Sequence, residues 1–111
     1  MREIKFRAWG KILKKFVPVW SVIETRGDNV VRGINKNIVI DQYTGLKDFN
    51  RVEIYEGDIL KDVDNGNIVG YVEYDDAFGE YYCGDNNLYE CTRDCQVVGN
   101  IHEQPELLKE K

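Results

Sequence analysis

The dipeptide Asn65-Gly66, set between two β-rich runs, constrains this chain more than any other feature. Asn-Gly is the preferred pair for a type I′ turn, whose twist matches that of two antiparallel strands. Asp58 to Tyr74 therefore reads as a β-hairpin. A two-residue loop pairs Val63 with Ile68, Leu60 with Tyr71 and Ile59 with Val72. That register puts Ile59, Val63, Ile68, Val72 and Tyr74 on one face as the expected core. Gly70, opposite Lys61, marks a bulge or a close approach of backbone.

The rest of the chain repeats this pattern of short strands and turns. Residues 2–9 alternate, with Ile4, Phe6 and Ala8 on one face and Glu3, Lys5, Arg7 and Trp9 on the other. Period two predicts a strand with one buried face. Phe16 to Ile23 is a second β-rich run, and Pro18 makes it an edge strand or interrupts it, because proline cannot donate to a ladder. Arg26-Gly27-Asp28-Asn29 predicts a turn, and Val30-Val31 and Asn37 to Tyr43 predict further strand. Thr44 to Val52 predicts loop, where Gly45 supplies a positive φ and Asp48 and Asn50 bond nearby backbone. Glu56-Gly57-Asp58 is a second turn, in which Gly57 bends the backbone and the Asp58 carboxylate caps free amides. Glu80 to Cys83, Leu88 to Thr92 and Gln96 to Ile101 are expected strands, and Pro105 to Lys109 suits one helical turn. No stretch keeps a period of 3.6.

These elements predict one domain over residues 1–111, mainly β. An N-terminal β portion covers 1–50. A small SH3-like barrel or roll covers about 53–101, and a short helical tail covers 104–111. At 42% hydrophobic and 32% charged the chain can build one modest core and is too apolar for disorder. No run approaches the ~20 apolar residues of a membrane span, and MREIKFRAW lacks the apolar centre of a signal peptide, so a cytoplasmic setting is expected.

Three blocks together resemble the YopX family of phage and prophage proteins: MREIKFRAW at 1–9, QYTGLKDFNRVEIYEGDIL at 42–60 and VVGNIHEQPELL at 97–108. The chain departs from that family's pattern at Gly10, where aspartate is usual. It has Asn50-Arg51 where Asn-Gly is usual, and His102 and Gln104 where tyrosine and asparagine are usual. The resemblance implies a β-rich fold with an SH3-type barrel and a phage origin. It brings no established activity, so no catalytic residue is carried over.

Charge is unevenly placed along a chain of net charge −5. Met1 to Trp20 holds Arg2, Lys5, Arg7, Lys11, Lys14 and Lys15 against Glu3 alone. Glu53 to Asp94 holds twelve acidic residues against Lys61 and Arg93. Two binding readings follow. The basic aromatic segment, with Lys5, Arg7, Trp9, Lys14 and Trp20, could stack bases and contact phosphates. Alternatively it docks on the acidic surface of its own chain or of a second copy, which makes a homo-oligomer and a protein-binding role the leading expectation.

Catalytic and metal signals are weak. His102 is the only imidazole, and neither a Gly-x-Ser-x-Gly elbow nor a phosphate-cradling loop is present. Asp62-Val63-Asp64-Asn65-Gly66 superficially suggests a calcium loop, but its glycine is fifth rather than sixth and its flanks are strands. Cys83, Cys91 and Cys95 with His102 would make four ligands, yet their spacing fits no common zinc module, and buried reduced cysteines are the simpler reading. No cofactor is expected.

Overall fold

The computed structural model describes residues 4–18, 24–26, 29–31 and 37–109. Trp20, one of the candidate contact residues, lies outside them. The strands are β1 (Phe6–Gly10), β2 (Lys15–Val17), β3 (Glu24–Arg26), β4 (Asn29–Val31), β5 (Ile38–Lys47), β6 (Glu53–Tyr55), β7 (Asp58–Asp62), β8 (Ile68–Asp75), β9 (Glu80–Cys83), β10 (Asn86–Asn87) and β11 (Cys95–Asn100). One helical turn, α1 (Leu88–Cys91), precedes β11, and a 3₁₀ turn, Pro105–Leu108, follows it. The fold is mainly β, with the short C-terminal helical turn expected after Pro105.

Two antiparallel sheets carry the architecture. The first has the order β2-β1-β5-β6 and the second β10-β9-β8-β7-β11, while β3 and β4 pair as a separate ribbon. In the second sheet the chain meanders outward from β7 to β10, and β11 then returns to pair with β7. The result is an open half-barrel. Strand β2 ends at Val17, before Pro18, and lies at the edge of the first sheet as its proline requires. Glu53–Tyr55, counted with the C-terminal portion in the sequence, pairs with β5 of the first sheet.

Strand β6 nevertheless reaches into the second sheet's core. Its Ile54 packs with Leu60, Val72, Cys83, Leu88, Cys91 and Cys95, and Leu46, Val69, Tyr81 and Val97 close over them. Each fully buried aliphatic side chain of this kind contributes about 1.5–3 kcal/mol.

Several local expectations change. The loop expected from Thr44 is strand as far as Lys47, because Gly45 takes φ 88° and lets β5 bulge against β6. Inside that bulge the Thr44 hydroxyl donates to the Ile54 carbonyl at 2.8 Å and accepts from the Leu46 amide at 3.2 Å, replacing lost ladder bonds. The expected strand at Leu88 is instead helical. The Asn87 side chain caps the Tyr89 amide at 2.9 Å, and Leu88 and Cys91, three apart, both face the core.

The Asn65-Gly66 hairpin exists, in a different register and without the expected type I′ turn, because Asn65 does not take a positive φ. Ile59 lies opposite Tyr71 and Leu60 opposite Gly70, with a shift before Lys61 meets Ile68. The Asp62 carboxylate accepts from the amides of Asp64 (2.8 Å) and Asn65 (3.2 Å), which lengthens the loop. Gly66 keeps the left-handed conformation, φ 76°. The core assignment shifts accordingly: Ile59, Leu60 and Val72 are buried, whereas Tyr74 is exposed and Val63 and Ile68 are half-buried. Gly70 does mark both a bulge and a close approach. A Cβ on it would stand 2.7 Å from the Gly84 backbone nitrogen, so β8 and the turn after β9 can touch only through glycine.

The 48–52 turn forms without the family's glycine. Arg51 takes φ 67°, a left-handed conformation costly for any residue with a Cβ. Asp48 holds the turn in place: its Oδ1 accepts from the amides of Asn50 and Val52, and its Oδ2 from Val97 in β11, each at 2.8 Å. Arg51→Gly is therefore expected to stabilise the fold by roughly 1 kcal/mol, read as a higher urea midpoint at unchanged slope. A lower midpoint would show that the Arg51 side chain stabilises more than its backbone costs.

The three cysteines are free and buried in the core. Burial pushes the thiols of Cys83 and Cys95 up to about 12 and raises that of Cys91 as well. Because the thiolate is the reactive form, a chromogenic disulfide reagent at pH 8 should label none of them in the folded protein and all three in urea. Fast labelling without denaturant would contradict this packing.

Candidate functional site

The most concentrated polar chemistry lies where the two sheets meet. The turn Glu56-Gly57-Asp58 carries the chain from β6 in the first sheet to β7 in the second. Gly57, at φ 86°, donates its amide to the Val72 carbonyl (2.8 Å) and accepts from the Ile101 amide (2.9 Å). The turn is thereby bound to β8 and to the segment after β11.

Arg7 of β1 points into this junction. Its Nε donates to Asp41 Oδ2 (3.0 Å), one terminal nitrogen pairs with Asp58 Oδ1 (2.8 Å), and the other donates to the Glu56 carbonyl (3.1 Å). The guanidinium also lies over the rings of Phe16 (4.9 Å) and Tyr55 (5.0 Å). Asp41 is shared: His102 Nε2 sits 2.8 Å from the same Oδ2. Trp9 stacks on the His102 ring at 5.4 Å and 13°, and Phe16 meets Trp9 edge-on at 5.0 Å. Beside this cluster Lys5 pairs with Glu53 and lies over the Tyr43 ring.

Burial dominates the electrostatics. The Asp58 side chain is 3% exposed and that of Asp41 7%. Burial pushes the Asp58 carboxyl above the usual carboxylate range, while Arg7 and the Tyr55 amide, which donates to Asp58 Oδ2 at 2.8 Å, pull it back. Burial likewise raises the Tyr55 phenol. Among the described residues no buried side-chain nitrogen or oxygen lacks a partner.

A cleft of about 410 Å³ opens beside the cluster, lined by Arg7, Glu53, Tyr55, Asp58, Asn100, Glu103 and Gln104 among others. Asn100 organises its far wall, accepting from the amides of His102 (3.0 Å) and Glu103 (2.9 Å). The chemistry here is that of a tie between sheets: every charged group in the cluster is turned onto another group of the chain.

The candidate residues thus separate. Lys5, Arg7 and Trp9 come together, but facing inward, with Trp9 only 7% exposed. The face of β1 that carries Arg7 and Trp9 is therefore not an outer face: His102 stacks on Trp9, and the carboxylates of Asp41 and Asp58 pair with Arg7. On the other face Ala8 is buried while Ile4 is 67% exposed. Lys14 lies apart, exposed in the turn between β1 and β2. Gly45, Asp48, Gly57, Asp58, Asn65 and Gly66 all sit in turns or bulges, and Asp48 and Asp58 are buried. The sequence reading missed Asp41 and Glu53 as partners of the cations. Their only signal was acidic residues placed on strands that the basic strand could reach. The cysteines and His102 do not converge, since His102 is held at Asp41 and the cysteines lie in the core.

The three sequence blocks lie together in this arrangement: β1, β5 to β7, and β11 with its following turn. Residues 5–109 match the family model described as YopX protein. The chain belongs to the YopX family. A crystal structure of protein EF1440 from Enterococcus faecalis is similar along almost its whole length. It shares 28% identity and a TM-score of 0.70, over 98% of this chain and 100% of that one. No curated protein matches. In this YopX-family chain the ring stacked on Trp9 is histidine where the family's pattern has tyrosine, so an aromatic surface is kept and a nitrogen within hydrogen-bond distance of Asp41 is added.

Removing Arg7 would strand two buried carboxylates. Arg7→Met should destabilise the fold by roughly 3–5 kcal/mol at pH 7. The deficit should shrink on acidification. Without Arg7 the folded-state affinity of Asp58 for a proton rises further, and the penalty of burying its charge vanishes once it is protonated. The penalty returns as pH rises through the folded pKa. Urea titrations of both proteins at pH 4 and pH 7 check this. An equal deficit at both values would remove the Asp58 charge from the account.

Proposed function

We propose that this protein is a non-enzymatic phage or prophage accessory protein that works in the bacterial cytoplasm by binding protein, including further copies of itself. The observation that carries this reading is the division of the basic N-terminal segment. Its inner residues, Lys5, Arg7 and Trp9, are consumed by contacts within the chain. Its outer residues present large apolar side chains: Ile4, Ile12 and Leu13 are 67%, 73% and 64% exposed. Apolar groups concentrated on one short segment are the usual mark of a protein-binding surface.

Two further features support the reading. The junction cluster is internally satisfied, with its charged groups bonded within the chain. Among the described residues no helix is long and apolar enough to cross a membrane. The rival reading, binding of nucleic acid through Lys5, Arg7, Trp9 and Lys14, keeps only Lys14 exposed, together with Lys11 and Lys15.

Sedimentation equilibrium at micromolar concentration, at low and high salt, tests the proposal. A mass above 12.9 kDa is expected. A monomer at both salts removes self-association. Tight, salt-sensitive gel shifts with DNA or RNA would favour the rival.

A further inference from the structure

The exposed tip of the β1–β2 hairpin is built from five consecutive residues, Lys11, Ile12, Leu13, Lys14 and Lys15, all of them exposed. It offers two large apolar side chains among three cations. Ile12 and Leu13 are 73% and 64% exposed, so among the described residues nothing covers these side chains. A phosphate backbone would match the lysines and leave this apolar pair without a counterpart.

The second sheet carries a surface of the opposite kind. A cleft of about 560 Å³ lies along β8 and β9 and the turn between them, lined by Glu73, Tyr74, Asp75, Asp76, Tyr82 and Asp85. Aromatic side chains stand with these carboxylates: Tyr74, which lines the cleft, is 45% exposed, and Phe78, next to the lining residue Ala77 in the turn between β8 and β9, is 73% exposed. Asp75 is partly engaged, accepting from the Ala77 amide at 2.8 Å. Glu73, Asp76 and Asp85 are exposed to solvent.

We propose that the hairpin tip of one copy docks in this acidic, aromatic cleft of a second copy. The proposal rests on the self-association reading above and assigns its two surfaces. Lys11, Lys14 and Lys15 meet Glu73, Asp76 and Asp85, and Ile12 and Leu13 cover Tyr74 and Phe78. A reciprocal exchange of tips closes a two-fold dimer, whereas a one-way contact is heterologous. The one-way contact leaves a free tip and a free cleft until a ring closes or a filament grows. The ion pairs make association salt-sensitive, and the apolar contact leaves a residue that salt does not remove.

Charge reversal tests the pairing. K11E/K14E/K15E carries an acidic tip and an acidic cleft, whereas E73K/D76K/D85K carries a basic tip and a basic cleft. Each alone should associate at least tenfold more weakly than the wild-type protein by sedimentation, with unchanged circular dichroism. An equimolar mixture should associate again, because each tip then meets a cleft of opposite charge. A monomeric wild type would end the self-association reading and this inference together. Wild-type association that survives both reversals, or a mixture that stays monomeric, would overturn the tip-in-cleft pairing and leave self-association standing. Should a triple variant fail to fold, I12S/L13S probes the same contact without charge, and wild-type association in it would overturn the pairing. Gel shifts lost in the tip variant while self-association persists would assign the tip to a polyanion instead.

Discussion

The guanidinium of Arg7 is the contact on which the arrangement of the two sheets depends. It stands between Asp41 of the first sheet and Asp58 of the second, and it also holds the carbonyl of the turn that joins them. An ionised carboxylate removed from water costs several kcal/mol unless it is paired and hydrogen-bonded. Two such carboxylates lie within reach of one cation here, and the remaining lone pairs are taken by His102 and the Tyr55 amide. Arginine suits this place better than lysine because its planar fork reaches three acceptors at once, while its faces rest on Phe16 and Tyr55.

Buried aspartates do similar work at the chain's other turns. Asp48 binds three amides, one of them in β11, 49 residues away. Asp58 bonds the Tyr55 amide and Arg7 together. In a protein with many short strands, turns supply much of the tertiary connection, and a carboxylate that accepts from several amides fixes a turn and its neighbour simultaneously. The apolar core is modest by comparison. It spans both sheets because Ile54 and Leu46, on strands of the first sheet, pack with residues of the second.

The surface is divided by the same economy of charge. Cations near the junction are neutralised inside the chain, so the asymmetry visible in the sequence survives only at the periphery. The lysine-bearing hairpin tip lies at one place, and the acidic lip of β8 and β9 at another. The exposed surface keeps this remainder of the original imbalance, together with the apolar side chains beside it.

The sequence by itself determined the class of fold, the positions of most turns and the family. The carboxylates at Asp48 and Asp58 act locally and keep the role their chemistry dictates, and Asn65-Gly66 still reverses the chain, though in a longer loop than a type I′ turn. The glycine at 70 was also legible, as a bulge or a close approach, and it is both. The sequence did not determine register or partners. The hairpin slips by one because Asp62 competes for the loop amides, and Leu88–Cys91 becomes helical because its apolar pair must face the core. The 44–47 stretch stays in a strand through a bulge that only the opposing β6 reveals. Arg7 and Trp9 looked like surface residues because alternation marks two faces without saying what covers them. That was decided by tertiary structure alone, when segments 34 and 95 residues further along the chain from Arg7 brought Asp41 and His102 against the β1 face and made its charge cheaper to bury than to leave unpaired.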